Sequence, residues 1–357
     1  MVGPFSRSLL ALDIGTSSIK LLELGGGRQK KVRVMAQSEI PSGVVENGVV
    51  KDPGAVTELL KSMLKSNKIL PLGRRVCVSL SGNAVIIKRV SLSPDRDKEL
   101  AEQAYYAAEQ HFQHSMNDLE FDYFNIGSLN ERGEVNVILV GAKREAIDSL
   151  LEIIHANNMK IGVVETDVFA LSNMFEYNYG TSETIMALIN IGASCTQVTL
   201  VWRGEYLYTR EIAIGGAEYT RRIAEVAGVD NTGADAIKIA VSNFTQDPPE
   251  AVAKVIREAN DQLASEIQTT IGYYLQSPDN ATPGTPFTNA FISGGGCRVL
   301  GIEAAIASAL QVPVQSMNPF QNIEVNQRKF PLDEVALNAS RFGVAVGLGM
   351  RSMGDKS

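Results

Sequence analysis

The stretch LALDIGTSSIKLLEL runs from Leu10 to Leu24, and a second stretch of the same kind, ALINIGASCTQVTL, runs from Ala187 to Leu200. With Asp13 set on Asn190, Ile14 falls on Ile191, Gly15 on Gly192 and Ser17 on Ser194, inside matching apolar runs. Each copy reads as strand, tight glycine turn, strand. Such a turn lets backbone approach a phosphate chain, because glycine has no Cβ in the way and successive N–H groups can point at one anion. The hydroxyls of Thr16, Ser17 and Ser18 add donors to the first copy. Asp13 is suited to hold a Mg²⁺ through its waters, and Lys20 on the second strand to reach phosphates as a point charge. One hairpin of this form is common between strands. Two at equivalent places predict a duplicated α/β architecture, with a nucleotide held between two lobes by one turn from each. A third element completes the set: FISGGGCRVLG puts Gly294, Gly295 and Gly296 between a strand and a helix, where bare backbone can pack against an adenine and ribose.

Composition is consistent with two globular lobes. The 357 residues are 45% hydrophobic, enough for a large core. The net charge is −7 with acidic and basic residues interspersed, so no polybasic face for nucleic acid or anionic lipid is expected. Cys77, Cys195 and Cys297 stand far apart without CxxC spacing, and no stretch resembles a signal peptide or a membrane span. The expected location is the cytoplasm.

Along the chain, strands and helices alternate. After the first hairpin, Lys31 to Ile40 supplies a third strand, a helix starts after Asp52 with Pro53 at its first position, and RRVCVSL is again a strand. From about Val85 to Ile161 a second assembly is expected: VIIKRVSL, a helix starting at SPDRDKEL, LEFDYFNI, EVNVILVGAK, and a helix carrying Ile147, Leu150, Leu151 and Ile154. The second half repeats the plan, adds a long amphipathic helix from Glu250 to Gln276, closes it with the loop SPDNATPGTPF, and ends in one helix from about Asp333 to Met350. Rival motifs fail: the tail GMRSMGDKS breaks the Walker pattern at Asp355, and the HxxH pair His111 and His114 has no further His or Cys nearby.

The order LALDIGTSSIK, INIGASCTQV, SGGGCRVLG resembles the first phosphate, second phosphate and adenosine motifs of the actin, sugar kinase and heat-shock chaperone ATPase superfamily. Within it, EFDYFNIG, NVILVGAKREAIDSLLEII and VVETDVFAL resemble the PilM family, the actin-like cytoplasmic proteins of the type IV pilus inner-membrane platform, related to FtsA. The resemblance covers nearly the whole chain. It implies an actin-like fold of two duplicated lobes around a nucleotide cleft, with an FtsA-type subdomain inserted in the first lobe. The implied segments are a first-lobe subdomain 1–84, the inserted subdomain 85–161 with a partner groove, a connecting helix 162–184, a second-lobe subdomain 185–216, a helical subdomain 217–285, a return 286–332 with the adenosine loop, and a C-terminal connecting helix 333–357.

The resemblance also assigns ligands. ATP with Mg²⁺ is implied at Asp13, Gly15, Thr16, Ser17, Ser18 and Lys20 in the first loop, at Asn190, Gly192, Ala193, Ser194 and Thr196 in the second, and at Gly294, Gly295 and Gly296 in the adenosine loop. Asp235 and Lys238 of GADAIK sit where relatives contact the ribose, and Asp167 where relatives often place the carboxylate that orients the attacking water. As an ordinary acid at a helix N-terminus, Asp167 has an equally good reading without catalysis. One departure matters: the second motif usually begins with Asp, and here Asn190 removes a negative charge, so binding is expected to outlast hydrolysis. The implied partner is the N-terminal cytoplasmic peptide of a PilN-like inner-membrane protein, with pilus motor ATPases as further partners and the membrane reached only through them. Two alternatives stay open, a small-molecule kinase of the same superfamily and an FtsA-like division protein. The second needs a C-terminal amphipathic anchor for which MRSMGDKS is short.

Overall fold

The computed structural model describes residues 8–27, 29–46, 48–93, 99–126, 133–277 and 282–354. The chain forms two units: Met1–Gly27, Val32–Ala170 and Gly347–Ser357 in the first, and Arg28–Lys31 and Leu171–Val346 in the second.

In the first unit, β1 (Leu10–Ile14), β2 (Ser18–Gly25) and β3 (Lys31–Glu39) form an antiparallel meander. Every residue of β1 and β2 is buried, and the polar ones among them, Asp13, Ser18, Lys20 and Glu23, are buried with the apolar residues instead of alternating to solvent. A short ladder, β4 (Val45–Glu46) and β5 (Val49–Val50), leads to α1 (Pro53–Ser66). Asp52 caps α1 by accepting the Ala55 N–H at 2.9 Å, and Pro53 occupies the first turn. The helix returns the chain to β6 (Arg75–Leu80), parallel to β1.

At Gly82–Ala84 the chain leaves the sheet and builds β7 (Val85–Leu92), α2 (Leu100–His111), β8 (Leu119–Asn125) and β9 (Val135–Lys143). These strands make a separate antiparallel sheet, β7-β9-β8, with its own core of Ala104, Ala107, Ala108, Phe112, Leu119, Val137 and Leu139. The helix expected from SPDRDKEL begins at Leu100, and residues 94–98 of that stretch lie outside the described residues.

The insertion ends earlier than 161. From β9 the chain enters α3 (Arg144–Ala156) directly, and Ala146, Leu150, Ile153 and Ile154 of α3 pack in one cluster with Val56 and Leu60 of α1 and Leu10 and Leu12 of β1. Apolar side chains on one stripe of α3 belong to the main core, so the inserted part is 85–143. The segment expected as a connecting helix from 162 begins instead as β10 (Lys160–Thr166), which pairs parallel to β6; the helix α4 starts at Asp167 and ends at Tyr179. The finished sheet has the order β10-β6-β1-β2-β3.

The second unit repeats that topology. β11 (Ile185–Ile191), β12 (Thr196–Trp202) and β13 (Glu205–Ile212) form the meander; α5 (Gly216–Ala227), α6 (Asn231–Ser242) and α7 (Glu250–Gln276) follow. β14 (Phe287–Ser293) and β15 (Val314–Ser316) add parallel strands with α8 (Ile302–Leu310) between them, giving β13-β12-β11-β14-β15. The helices α5 to α8 share one core with the sheet, including Ile189, Ile191, Val198, Tyr219, Ile256, Ile267 and Ile302, so 217–285 has no core of its own. Residues 278–281 of the proline-rich loop and 355–357 of the tail lie outside the described residues. The single final helix expected from the sequence is interrupted: α9 (Leu332–Asn338) and α10 (Gly343–Met350) are separated by a 3₁₀ turn at Ala339–Phe342. Among the described residues no helix is long and apolar enough to cross a membrane.

Candidate functional site

In each sheet the residues singled out by the repeat emerge at the carboxyl ends of the central parallel strands, where open α/β sheets leave room for ligands. Antiparallel pairing sets Asp13 opposite Lys20, and the turn closes with the Gly15 N–H donating to the Ser18 carbonyl at 3.0 Å. Opposite residues share a face. Lys20 Nζ accordingly lies 2.9 Å from Asp13 Oδ2, with side chains only 10% and 11% exposed. Sequence reasoning sends Asp13 to a metal and Lys20 to phosphates; the structure joins them as a buried pair. Thr16 is half-buried and Ser17 exposed, while Ser18 is buried at the head of β2. The Ser17 carbonyl accepts the Ile40 N–H at 3.0 Å, which fixes the turn to the segment after β3.

Asp167 is the first residue of α4, beyond the end of β10, so it lies at the same end of the sheet as Asp13 with β6 between their strands. The cap is its neighbour: Thr166 Oγ1 accepts the Phe169 N–H at 3.2 Å. Next to it, Glu165 is buried, and burial pushes its carboxyl up from the ordinary range despite the Arg351 guanidinium 3.4 Å away.

The second hairpin closes in the same way, with the Gly192 N–H donating to the Cys195 carbonyl at 2.9 Å. Its turn is docked on the start of α5. Gly216 and Ala217 donate their N–H groups to the carbonyls of Gly192 and Ala193 at 2.9 and 2.8 Å. This leaves Gly215 so close that a Cβ there would stand 2.6 Å from the Ala193 carbonyl oxygen. Thr196 is fully buried and donates its hydroxyl to the Ile214 carbonyl at 2.7 Å, so it fastens the hairpin to the same segment. Half-buried Ala193 and Ser194 form the outer part of the turn.

The glycine run meets this hairpin. β14 is parallel to β11 with Ser293 beside Asn190. Gly294 has φ +86°, and a Cβ on it would lie 2.3 Å from the Ile191 carbonyl oxygen and 2.7 Å from Asn190 Oδ1. At Gly296 a Cβ would lie 2.4 Å from Ile191 Cγ2. These two glycines are therefore required by packing on the end of β11. Gly295 is different: it is exposed, and nothing comes nearer its absent Cβ than Arg341 Nε at 3.6 Å. The run is held from the other side by the Ser340 carbonyl, which accepts both the Gly294 N–H at 2.8 Å and the Ser293 hydroxyl at 3.0 Å.

Asp235 and Lys238 join this group. Lys238 Nζ lies 2.5 Å from Asp235 Oδ1 and donates to the Thr220 hydroxyl at 2.7 Å and to the Gly216 carbonyl at 3.2 Å, at the foot of the second hairpin. Within one unit, then, the second turn, the GG start of α5, the Lys238 ammonium and the glycine run converge. That set offers backbone, a cation and an exposed glycine to an anionic ligand.

Across the sheet at this level the row reads Ser293, Asn190, Gln197, Glu211. Glu211 escaped the sequence reading, since β13 carries no motif. Burial pushes its carboxyl above the ordinary range, opposed by a hydrogen bond from the Cys195 thiol in the turn. Gly215 and Gly216 carried no signal as the partner of the hairpin, and Arg298 and Arg341 carried none.

The sequence model for type IV pilus assembly protein PilM matches residues 11–353. Among solved structures, a PilM-PilN type IV pilus biogenesis complex superposes with a TM-score of 0.86 at 22% identity, over 98% of this chain and 100% of that one. The ethanolamine utilization protein EutJ from Carboxydothermus hydrogenoformans gives a TM-score of 0.57 at 14% identity, over 97% and 92%. MreB5 of Spiroplasma citri bound to AMPPNP gives 0.54 at 12%, over 96% and 95%. A match over nearly the full length to the family, together with these actin-like neighbours, means that this chain belongs to the type IV pilus assembly protein PilM family and has an actin-like α/β fold.

Proposed function

We propose that this chain is an ATP-binding scaffold of type IV pilus assembly that docks the short cytoplasmic tail of a PilN-like inner-membrane protein. The observation that carries the nucleotide half is the convergence, inside the second unit, of the docked Gly192–Ser194 turn with the run Gly294–Gly296. The repeated hairpin with Asp13 and Lys20 supplies the same chemistry in the first unit. A Mg²⁺ carried by the nucleotide would take Asp13 as its one carboxylate ligand once Lys20 Nζ, 2.9 Å from Asp13 Oδ2, has turned to the phosphates. Such an ion would neutralise phosphate charge. The residues of this chain bind and orient. Lys20 and the turn amides offer positive ends to phosphates, and Asp167 is the candidate for positioning a water.

Two neighbours support the reading: one is solved with AMPPNP and another as a PilM-PilN complex. Isothermal titration of the full chain with Mg-ATP tests the first half. Micromolar or tighter binding that disappears in Gly192→Asp and Gly295→Asp is the expected result; equal affinity in both variants would remove the nucleotide site as drawn. Titration with a synthetic N-terminal tail of a PilN-like protein tests the second half. ATP-dependent affinity for that peptide supports a nucleotide-gated scaffold, and an affinity identical with and without ATP removes the gating.

A further inference from the structure

The loop between α1 and β6 presents two leucines to solvent. Leu70 and Leu72 are 83% and 86% exposed, more than any other large apolar side chain among the described residues. The backbone that carries them is fixed. After α1 the Ile69 N–H donates back to the Leu64 carbonyl at 2.9 Å, and α3 ends in the same way, with Met159 donating to Ile154 at 3.1 Å. Ile69 and Met159 go into the core. The Arg74 N–H closes a turn on the Pro71 carbonyl at 2.8 Å, the Gly73 N–H donates to the Asn158 carbonyl at 2.9 Å, and the Arg74 carbonyl accepts the Lys160 N–H at 2.8 Å. Both leucines are thus held out as knobs. Leu72, half-buried Leu151 and Ile161, and exposed Lys160 help to line a cavity of about 730 Å³ on this face.

The same two segments, 65–75 and 151–161, carry Lys65, Lys68, Arg74, Arg75 and Lys160 against a single acid, Glu152, in a chain whose net charge is −7. Arg74 pairs with buried Glu23, and Arg75 meets the Met353 sulfur at 3.6 Å. The ammonium groups of Lys65, Lys68 and Lys160 are exposed and make no hydrogen bond or ion pair among the described residues. Interspersed charges in the sequence do not predict this cluster, because Lys160 reaches Arg75 only through the pairing of β10 with β6.

We propose that this face docks directly on an anionic membrane: Leu70 and Leu72 enter the boundary between headgroups and acyl chains, while Lys65, Lys68, Arg75 and Lys160 lie on the headgroups. Two features select lipid over a protein partner. Projecting leucines need a matching hole in a protein, whereas a bilayer accepts an apolar knob of any shape and removes it from water. The unpartnered charges are mainly ammonium groups spread around the knobs, which suits a smeared negative surface; a defined carboxylate is better matched by the planar fork of arginine. The long lysine stems also let the charges stay at the headgroups while the leucines go deeper. The inference needs neither the nucleotide nor the PilN-like tail. Two inserted side chains make a reversible contact, and stable anchoring takes a second signal. α3 runs from the insertion at Arg144 to this face at Ala156, about 20 Å, so the first unit can carry both contacts.

The test is co-sedimentation of the full chain, without nucleotide or tail peptide, with vesicles of phosphatidylcholine alone and of an equal mixture of phosphatidylcholine and phosphatidylglycerol. The chain should pellet with the mixed vesicles only, and raising the salt should release it. Leu70→Gln with Leu72→Gln should weaken the binding at least about 10-fold, and so should Lys65→Gln, Lys68→Gln and Lys160→Gln together. Thermal unfolding of both variants should stay close to that of the wild type, since the changed side chains are exposed. With the single tryptophan removed as Trp202→Phe, Leu72→Trp supplies the only indole, and its emission should shift to the blue on the mixed vesicles. No pelleting, equal pelleting on both kinds of vesicle, or pelleting that the leucine variant leaves intact overturns the proposal. A dimer in sedimentation velocity that the leucine variant disperses would then give the face to a second copy, and retention on immobilised polyglutamate in place of vesicles would give it to an acidic protein. Mg-ATP titration of the same variants should match the wild type, so failure on vesicles leaves the nucleotide reading standing.

Discussion

Asp13 and Lys20 each stand in the other's way as ligand groups and each keeps the other tolerable in the interior. A lone buried charge is costly, so removing one member of the pair leaves the second uncompensated. Asp13→Asn should lower unfolding stability by about 3 kcal/mol, and Asp13→Asn with Lys20→Met should recover much of it; denaturant unfolding of the four chains in a double-mutant cycle gives the coupling. No recovery would mean that the pair is not coupled in the folded chain. Loss of ATP binding in an Asp13 variant is therefore meaningful only where that variant is shown to be folded. Glu211 makes a second case. Its folded-state proton is held more tightly than in the unfolded chain, so the stability linked to it is complete below about pH 4 and is lost as pH rises through the raised value. Glu211→Gln should therefore gain in melting temperature over the wild type as pH rises from about 4 through the raised value. A constant difference across that range would refute a buried-charge penalty. Asn190 is the third. With neutral Ser293 and Gln197 on either side, it leaves the second hairpin without an acid until Glu211. Asn190→Asp should raise ATP turnover about 10-fold if one charge is worth about 1.4 kcal/mol at the transition state. Steady-state phosphate release measures it, and an unchanged rate would show that the lost charge does not limit hydrolysis.

Elements explain which of the motif residues are scaffold and which are surface. In the glycine run, a Cβ on Gly294 or Gly296 would run into β11, while one on Gly295 would meet only a flexible arginine. Of the three single alanine variants, only Gly295→Ala should unfold like the wild type, with the other two losing at least 1 to 3 kcal/mol from overpacking and, at Gly294, from the positive φ as well. Chemical denaturation ranks them, and equal midpoints in all three would contradict the packing. The hairpins, the start of α1 after Asp52 and the place of Asp167 at a helix start were legible because each rests on local pattern: apolar runs, a turn glycine, a cap. The extent of the insertion was not, because α3 looks the same in sequence whether its stripe faces the inserted sheet or the main one; only the cluster with Leu10, Val56 and Leu60 decides. The break after Asn338 was hidden for a similar reason. What turns the Ser340 carbonyl toward Ser293 and Gly294 is a partner almost fifty residues away in the chain.

At the scale of the whole molecule, the repeat accounts for two matching five-stranded sheets, and the inserted 85–143 assembly is what the duplication does not account for. It contains none of the candidate nucleotide residues and has its own apolar core. Its two ends are neighbours: Val85 pairs with Ala142 across β7 and β9, so the chain enters and leaves over about 5 Å. A short glycine-serine linker from Ala84 to Arg144 can therefore replace the assembly without pulling on β6 or α3. An independent subdomain with no part in nucleotide binding is best explained as a recognition surface, and in the first unit the main sheet it grows from lies beside it. The linker variant should bind Mg-ATP with unchanged affinity and should no longer bind the PilN-like tail. In the full chain, adding the tail should slow hydrogen exchange in 85–143 and in the adjoining strands of the first sheet. Protection confined to the helices of 217–276, with the linker variant still binding the tail, would move the docking surface to the second unit and leave the insertion without a role in partner binding.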